Sequence, residues 1–331
     1  MSEAGEQTTV PAPAGEHARA SREAALIVNT RARRGQEWFA RAQACLRAQG
    51  FTLRPAYSLT DPSRLPDLVR QSLAEGAKLI VVGGGDGTLR CAADVLAYTD
   101  AALGVLPLGT VNDFARNLGI APSVEAACEV LAAGNAVPID LGQANESYFL
   151  LTASLGFSAR MQRFLSPTYK KRFGPFGYVL AGFLALRRLR AIRITLRYGQ
   201  MQECLRVLQA GVINGHLWMG GALSIPGVDL ESGKLAFYAL PPQSKWAFLK
   251  MTYHVMHGRF FHTPGLRAFL TDDITVETET PHPLVLDGDL CGKTPVRLRV
   301  ARDALKVFVP PDFRRPAESG PIPPPEPSSF V

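Results

Sequence analysis

Apolar residues recur along this chain in two different rhythms. Up to about residue 141, short β-branched runs alternate with stripes at helical spacing. Beyond it, strand-like segments follow one another with only turns between them. In the first part, the runs at 25–30, 79–82, 101–106 and 137–141 are nearly continuous, the pattern of strands buried on both faces. Between them Trp38, Phe39, Ala42, Cys45 and Leu46 line one helical face. Leu65, Leu68, Val69 and Leu73 line another, which Gly76 stops. A further helix is expected over 89–96, and one more behind Ser123, a candidate N-cap, ending near Ala133 with Gly134 after it. Strands alternating with helices predict an α/β domain with a mostly parallel, doubly wound sheet.

The second part reads as a β-rich domain. Strands are expected at 148–157, 191–198, 205–213, 235–240, 274–279 and 296–300. In the stretch 192–198, Ile192, Ile194, Leu196 and Tyr198 alternate with Arg193, Thr195 and Arg197, as on a half-exposed antiparallel strand. A last strand, 305–309, is free to return to the first domain. The resulting division is a disordered tail at 1–23, an α/β domain at 24–140, a β-rich domain at 141–309 and a Pro-rich disordered tail at 310–331. The longest apolar stretch, 176–186, is broken by Gly182 and followed by Arg187, Arg188 and Arg190. It is far shorter than the roughly 20 residues a membrane-spanning helix needs. It reads as a core helix, with a helix lying near a lipid-entry face as the alternative.

Composition narrows the class without naming a function. At 331 residues, 47% of them apolar and 20% charged, the chain suits a two-domain enzyme with a large core. The formal charge of +7 suits peripheral contact with an anionic membrane surface. Nucleic acid would accept the same charge, but no module that interleaves aromatic and basic residues is present. The five cysteines have no paired spacing, which argues for a reducing compartment and against a zinc site. The polar N-terminus lacks the apolar core of a signal peptide, so a cytoplasmic location is expected. His216, His254, His257, His262 and His282 fall at no motif spacing. A homodimer is one assembly open to the chain.

Chemistry concentrates behind the 79–82 run, in Gly83-Gly84-Gly85-Asp86-Gly87-Thr88. A strand, a glycine loop and a helix start form a place where backbone N–H groups approach an anion and the helix end favours negative charge. The order of glycines is neither G-x-G-x-x-G nor the P-loop. Three consecutive glycines weaken packing, so a merely structural turn rarely spends them. The loop reads as a phosphate cradle. A carboxylate inside it, Asp86, is useful for holding Mg²⁺ or steering a nucleophile.

A second motif follows the 101–106 run: Leu106-Pro107-Leu108-Gly109-Thr110-Val111-Asn112-Asp113-Phe114-Ala115-Arg116. Together the two resemble the GGDGT and PxGTxNDFAR motifs of the diacylglycerol kinase-like lipid kinases, which include sphingosine, ceramide and soluble bacterial lipid kinases. NAD kinases and phosphofructokinases share a GGDG-type loop but not the second motif. Asn29-Thr30 resembles the family's Asn-Pro nucleotide loop, with arginines at 31, 33 and 34 where Ser-Gly is usual. Thr60 falls in a threonine loop that the family places near ATP. Asn214-Gly215, Gly220-Gly221 and Pro226 resemble the second-domain signature, and Leu286-Asp287-Gly288-Asp289 the late DGE motif, with Asp289 in place of Glu.

The resemblance implies ATP- and Mg²⁺-dependent phosphorylation of a lipid hydroxyl, and a second domain built as a two-layer β-sandwich. ATP would lie on Asn29, Thr60, Gly83, Gly84, Gly85, Asp86, Gly87, Thr88, Gly109, Thr110, Asn112 and Asp113, with Asp86 acting through the nucleotide's Mg²⁺. The base for the acceptor hydroxyl would be Asp289 or Asp287; which of the two acts is left open. Relatives carry a structural Mg²⁺ in a D-G-x-L-D segment. Here Ser232 stands at the liganding aspartate and Lys234 adds a positive charge beside Asp229, so this site is expected to be weak or absent. Two other functions remain open: an NAD kinase-like enzyme with a soluble acceptor, and an inactive lipid-binding regulator of the same fold.

Overall fold

The computed structural model describes residues 22–31, 34–164, 190–244, 246–247, 260 and 263–313. The apolar stretch 176–186 and most of both tails lie outside the described residues. The chain enters its first strand at Arg22, two residues ahead of the expected domain boundary.

The first half is built from β1 (Arg22–Asn29), α1 (Gly35–Ala48), β2 (Phe51–Leu59), α2 (Leu65–Ala74), β3 (Leu79–Gly84), α3 (Asp86–Leu96), β4 (Ala102–Pro107), α4 (Asp113–Asn117), α5 (Val124–Ala133) and β5 (Ala136–Ala144). Strands β2, β1, β3 and β4 lie side by side and parallel. Every residue of β3 and β4 is buried, which is why their sequences run apolar rather than alternate. Helix α1 packs beside α5, and α2 beside α3. Ser123 caps α5 by accepting the Ala126 amide, and Gly134 ends it at φ 76°.

The second half comprises β6 (Ser147–Phe149), β7 (Thr152–Gly156), α6 (Phe157–Phe164), β8 (Ile192–Tyr198), β9 (Met201–Val207), β10 (Gln209–Ile213), β11 (Leu217–Trp218), β12 (Leu223–Ser224), β13 (Leu235–Leu240), β14 (Arg267–Thr271), β15 (Asp273–Thr278), β16 (Pro283–Leu286), β17 (Asp289–Lys293) and β18 (Val296–Phe308). Two long expected strands are divided. The stretch 148–157 breaks at Leu150-Leu151, whose amides bond to Asp287 instead of a neighbouring strand. The stretch 205–213 turns at Leu208 and passes from one sheet to another. Conversely, the expected strands 296–300 and 305–309 fall in one strand, β18, which ends at Phe308 and has an irregularity between Ala301 and Leu305.

Strand β18 joins the halves. It pairs in parallel with β4, and antiparallel with β5 and β15, so that a single ten-stranded sheet runs through both. A six-stranded sheet, β14-β13-β10-β7-β16-β17, packs on the β-rich half of this sheet. Ile194, Leu196, Leu205 and Val207 from the large sheet meet Ala210, Val212, Phe237 and Leu284 from the small one in the sandwich core. The alternate residues Ile213, Ala236, Tyr238 and Leu240 form a second apolar layer on the other face of the small sheet.

Asn214 fastens the halves at the end of β10. It is fully buried, its amide donates to the carbonyls of Asp140 and Leu150 at 3.1 and 2.8 Å, and its backbone N–H donates to Leu151. Asn214→Ala leaves two buried carbonyls without this donor. It is expected to lower unfolding free energy by about 2–4 kcal/mol, read as a shift in the denaturant midpoint.

Candidate functional site

The glycine loop is shaped by what surrounds it. A Cβ at Gly84 would fall 2.5 Å from Thr88 Cβ, and one at Gly109 would fall 2.5 Å from the Gly85 Cα. The 83–88 and 107–112 loops therefore touch backbone to backbone, a contact only glycine allows. The N–H of Leu108 donates to the Gly84 carbonyl, and Asn29 Nδ2 donates to Thr88 Oγ1 at 3.1 Å. Three strand ends thus converge at the start of α3, whose N-cap Gly85 supplies no side chain to fill the helix end. Thr60 lies one strand further out, exposed at the end of β2.

The second motif is organised by two acidic residues and an asparagine. Asp86 accepts the N–H groups of Asp113 and Phe114 at 3.2 and 3.0 Å, so it holds the start of α4. Asp113 in turn accepts the Gly220 N–H at 2.6 Å, which docks the β11–β12 hairpin. Burial pushes the Asp113 carboxyl up; the nearby Asp86 charge adds to this and the Gly220 N–H opposes it. Asn112 sits in the left-handed region at φ 54°. Its Oδ1 accepts the Gly109 N–H and its Nδ2 donates to the Pro107 and Gly109 carbonyls. The amide thus shapes the loop from within. Thr110 is exposed beside it. A cavity of about 350 Å³ opens there, lined by Trp38, Arg41, Gly109, Thr110, Asn112 and Arg116 among others, but by no residue of the 83–88 loop.

The third motif separates its two carboxylates. Asp287 and Gly288 form the tight turn between β16 and β17, with φ 44° and 87°. The Asp287 carboxylate accepts three backbone N–H groups, from Leu150, Leu151 and Thr152, at 2.6–2.9 Å. Burial pushes it up to about 6, against the pull of those amides and of the Arg90 charge. Asp287 thus anchors the hairpin through three backbone bonds. Asp289 is different: its side chain is 55% exposed, and a Cβ at Gly87 would lie 3.1 Å from its Oδ2. The hairpin places this carboxylate over the glycine loop. Arg90, one turn below Gly87 on the same face of α3, approaches Asp289 Oδ2 to 3.8 Å. Sequence reasoning missed Arg90. Its spacing of three from Gly87 was the one signal available.

The structural metal segment does not fit Mg²⁺. Asp229 accepts the Glu231 N–H, and Ser232 Oγ bonds both the N–H and carbonyl of Asp229. Lys234 pairs with Asp272 at 3.3 Å, and the Arg302 guanidinium lies where a Gly233 Cβ would point. Two protein cations and internal hydrogen bonds replace the hard-oxygen cage such an ion requires. Among the described residues, no cluster of three acidic, histidine or cysteine side chains is positioned to hold a metal.

With this geometry the comparisons with known proteins agree. The diacylglycerol kinase catalytic domain matches residues 23–144, and the YegS C-terminal NAD kinase beta sandwich-like domain matches residues 152–309. A Pseudomonas aeruginosa protein described as "Probable lipid kinase YegS-like" is 34% identical over 246 residues, which cover 73% of this chain and 80% of that protein. This chain belongs to the YegS-like lipid kinase family. A YegS-like relative from Pseudomonas fluorescens is 32% identical over 301 residues, 88% of this chain and 96% of its own. The diacylglycerol kinase of Staphylococcus saprophyticus is 28% identical over 74% of this chain and 81% of its own. The fold matches the crystal structure of a diacylglycerol kinase from Bacillus anthracis with a TM-score of 0.70, at 23% identity over 87% of this chain and 97% of that one. As in that family, a kinase catalytic domain is joined to a β-sandwich. Among the described residues, no helix is long and apolar enough to cross a membrane.

Two outcomes follow for this YegS-like protein. Because the carboxyl of Asp287 titrates near 6 when folded and near 4 when unfolded, the native state holds the extra proton between those values. Its contribution to stability is complete below about pH 4 and lost as pH rises through about 6. Denaturation across this window is expected to show a slope in the native protein that Asp287→Asn lacks, with a difference of up to about 3 kcal/mol. Secondly, the nucleotide-free protein is expected to melt at the same temperature with Mg²⁺ and with EDTA; a fall on chelation that Asp229→Asn abolishes would mean the 229–234 loop holds an ion.

Proposed function

We propose that this protein transfers the γ-phosphoryl group of ATP, presented with Mg²⁺, to the hydroxyl of a membrane lipid of the diacylglycerol class, acting as a peripheral protein at the membrane surface. The observation that carries the reading is the position of Asp289 directly above the glycine loop, with a Gly87 Cβ position 3.1 Å from its Oδ2. A carboxylate there can meet an acceptor hydroxyl at the place where phosphate would rest.

Each part of the reaction has a candidate group. The backbone of Gly83 to Thr88 and the start of α3 would cradle the phosphates, as helix starts do. Asp86 and Asp113 lie close enough for the charge of one to raise the other, an arrangement that suits a divalent cation through the oxygen lone pairs their backbone bonds leave free. Bound there, the cation would neutralise charge on the phosphates. Asp289 would take the proton from the acceptor hydroxyl as its oxygen bonds to the γ-phosphorus. The bond from that phosphorus to the bridging oxygen breaks, and its electron pair stays with ADP. Such a transfer depends chiefly on alignment and charge compensation, which fixed loops provide. Relatives described as lipid kinase and diacylglycerol kinase support a lipid rather than a soluble acceptor. The residues 24–140 would bind the nucleotide and 141–309 the lipid.

The test is transfer of labelled γ-phosphate from ATP to diacylglycerol and other hydroxyl lipids in mixed micelles. Labelled lipid is expected with the native protein, and Asp289→Asn is expected to lower kcat by about 10²–10⁴-fold. Labelling of a soluble acceptor in place of every lipid would overturn the reading.

A further inference from the structure

Arg90 is mostly buried, with its side chain 12% exposed, yet it is poorly partnered. Its Nε is buried with no hydrogen-bond partner among the described residues. One Nη2 contact reaches Cys91 Sγ at 3.7 Å, a weak acceptor, and the approach to Asp289 at 3.8 Å is an ion pair longer than a hydrogen bond. Arginines that serve structure in this protein behave otherwise. Arg34 forks onto both oxygens of Glu37, and Arg297 onto both oxygens of Asp273, on the surface. A guanidinium left with unused donors away from water is costly unless an anion joins it.

We propose that Arg90 is a positioning residue of the transfer step, aiming the Asp289 carboxylate at the acceptor hydroxyl above the glycine loop. The inference rests on the lipid kinase reading above. Before transfer, Arg90 and Asp289 form a pair of opposite charges. As the acceptor proton passes to Asp289 and the acceptor oxygen bonds to phosphorus, the carboxylate becomes neutral and the negative charge leaves on the terminal oxygen of ADP. The γ-phosphoryl group, resting on the glycine loop beside Asp289, would be an anion within the corner of α3 that the unused donors of Arg90 face. Holding the carboxylate oxygen at a fixed place over the phosphate bears on the alignment of the transfer step, and so on kcat more than on the affinity for ATP.

The experiment compares initial rates of labelled phosphate transfer to micellar diacylglycerol for the native protein, Arg90→Lys, Arg90→Gln, Asp289→Asn and the double variant Arg90→Gln with Asp289→Asn. Arg90→Gln is expected to lower kcat about a hundredfold with the KM for ATP changed less than about threefold. Arg90→Lys is expected to recover at least about tenfold of that loss, since a cation remains. With Asp289 already Asn, removing Arg90 is expected to cost little more, because the two act as a unit. Native kcat in Arg90→Gln, a full additional loss in the double variant, or Arg90→Lys no faster than Arg90→Gln would each overturn the role. If Arg90→Gln does not fold, as judged by its melting curve, Arg90→Lys and the KM-against-kcat split decide. A native protein that labels no lipid defeats the lipid kinase reading itself and this inference with it, whereas an active native protein with unaffected variants defeats the inference alone.

Discussion

The candidate site depends on one carboxylate accepting three amides. Asp287 gathers the N–H groups of Leu150, Leu151 and Thr152, at the point where the chain leaves β6 and enters the small sheet. Without that acceptor the amides of the buried Leu150 and Leu151 would be unpaired, because those two residues belong to no strand. The same bonds fix the turn from β16 to β17, and two residues later Asp289 stands over the glycine loop of the other half. The buried carboxylate therefore converts a crossing between sheets into the placement of an exposed one.

The parts around it are fixed by close approach. The two glycine loops touch at Gly85 and Gly109, Thr88 fills the space that a side chain at Gly84 would need, and Asp86 ties one loop to the helix that follows the other. Each contact uses backbone or a short polar side chain, so the loops carry little freedom when a ligand arrives. Preorganisation of this kind suits phosphoryl transfer, where alignment and fixed dipoles matter more than covalent help from the protein. Strand β18 contributes on a larger scale. By pairing with β4, β5 and β15 it makes the two halves share one sheet, so the hairpin and the loop rest on a common frame.

Much of this was legible in the chain. The buried parallel strands were visible as β-branched runs, and α2 and α5 by their apolar faces and glycine stops. The three motifs were legible because their residue types are unusual: consecutive glycines, a carboxylate among them, and an Asp-Gly turn before a strand. What escaped was whatever depended on a partner far away in sequence. The break at Leu150-Leu151 needs Asp287, 136 residues on from Leu151, to receive the amide. The bonds of the Asn112 amide to Gly109 and Pro107 are likewise matters of loop geometry that the motif does not record.

By itself, then, the sequence determined the class of the chain: which segments are apolar at which period, where glycine permits an anion to approach, and which family's motifs it carries. Those are local properties, set by side-chain size, branching and spacing within a few residues. Only the tertiary structure gave Asp287 and Asp289 their different surroundings, brought Arg90 to the second of them, and set Arg302 and Lys234 about the 229–234 loop. Those outcomes are settled by burial and by distance between residues up to about 200 positions apart. The physical reason is that a carboxylate's role follows from which donors and cations surround it once water has been excluded, and no local pattern records that.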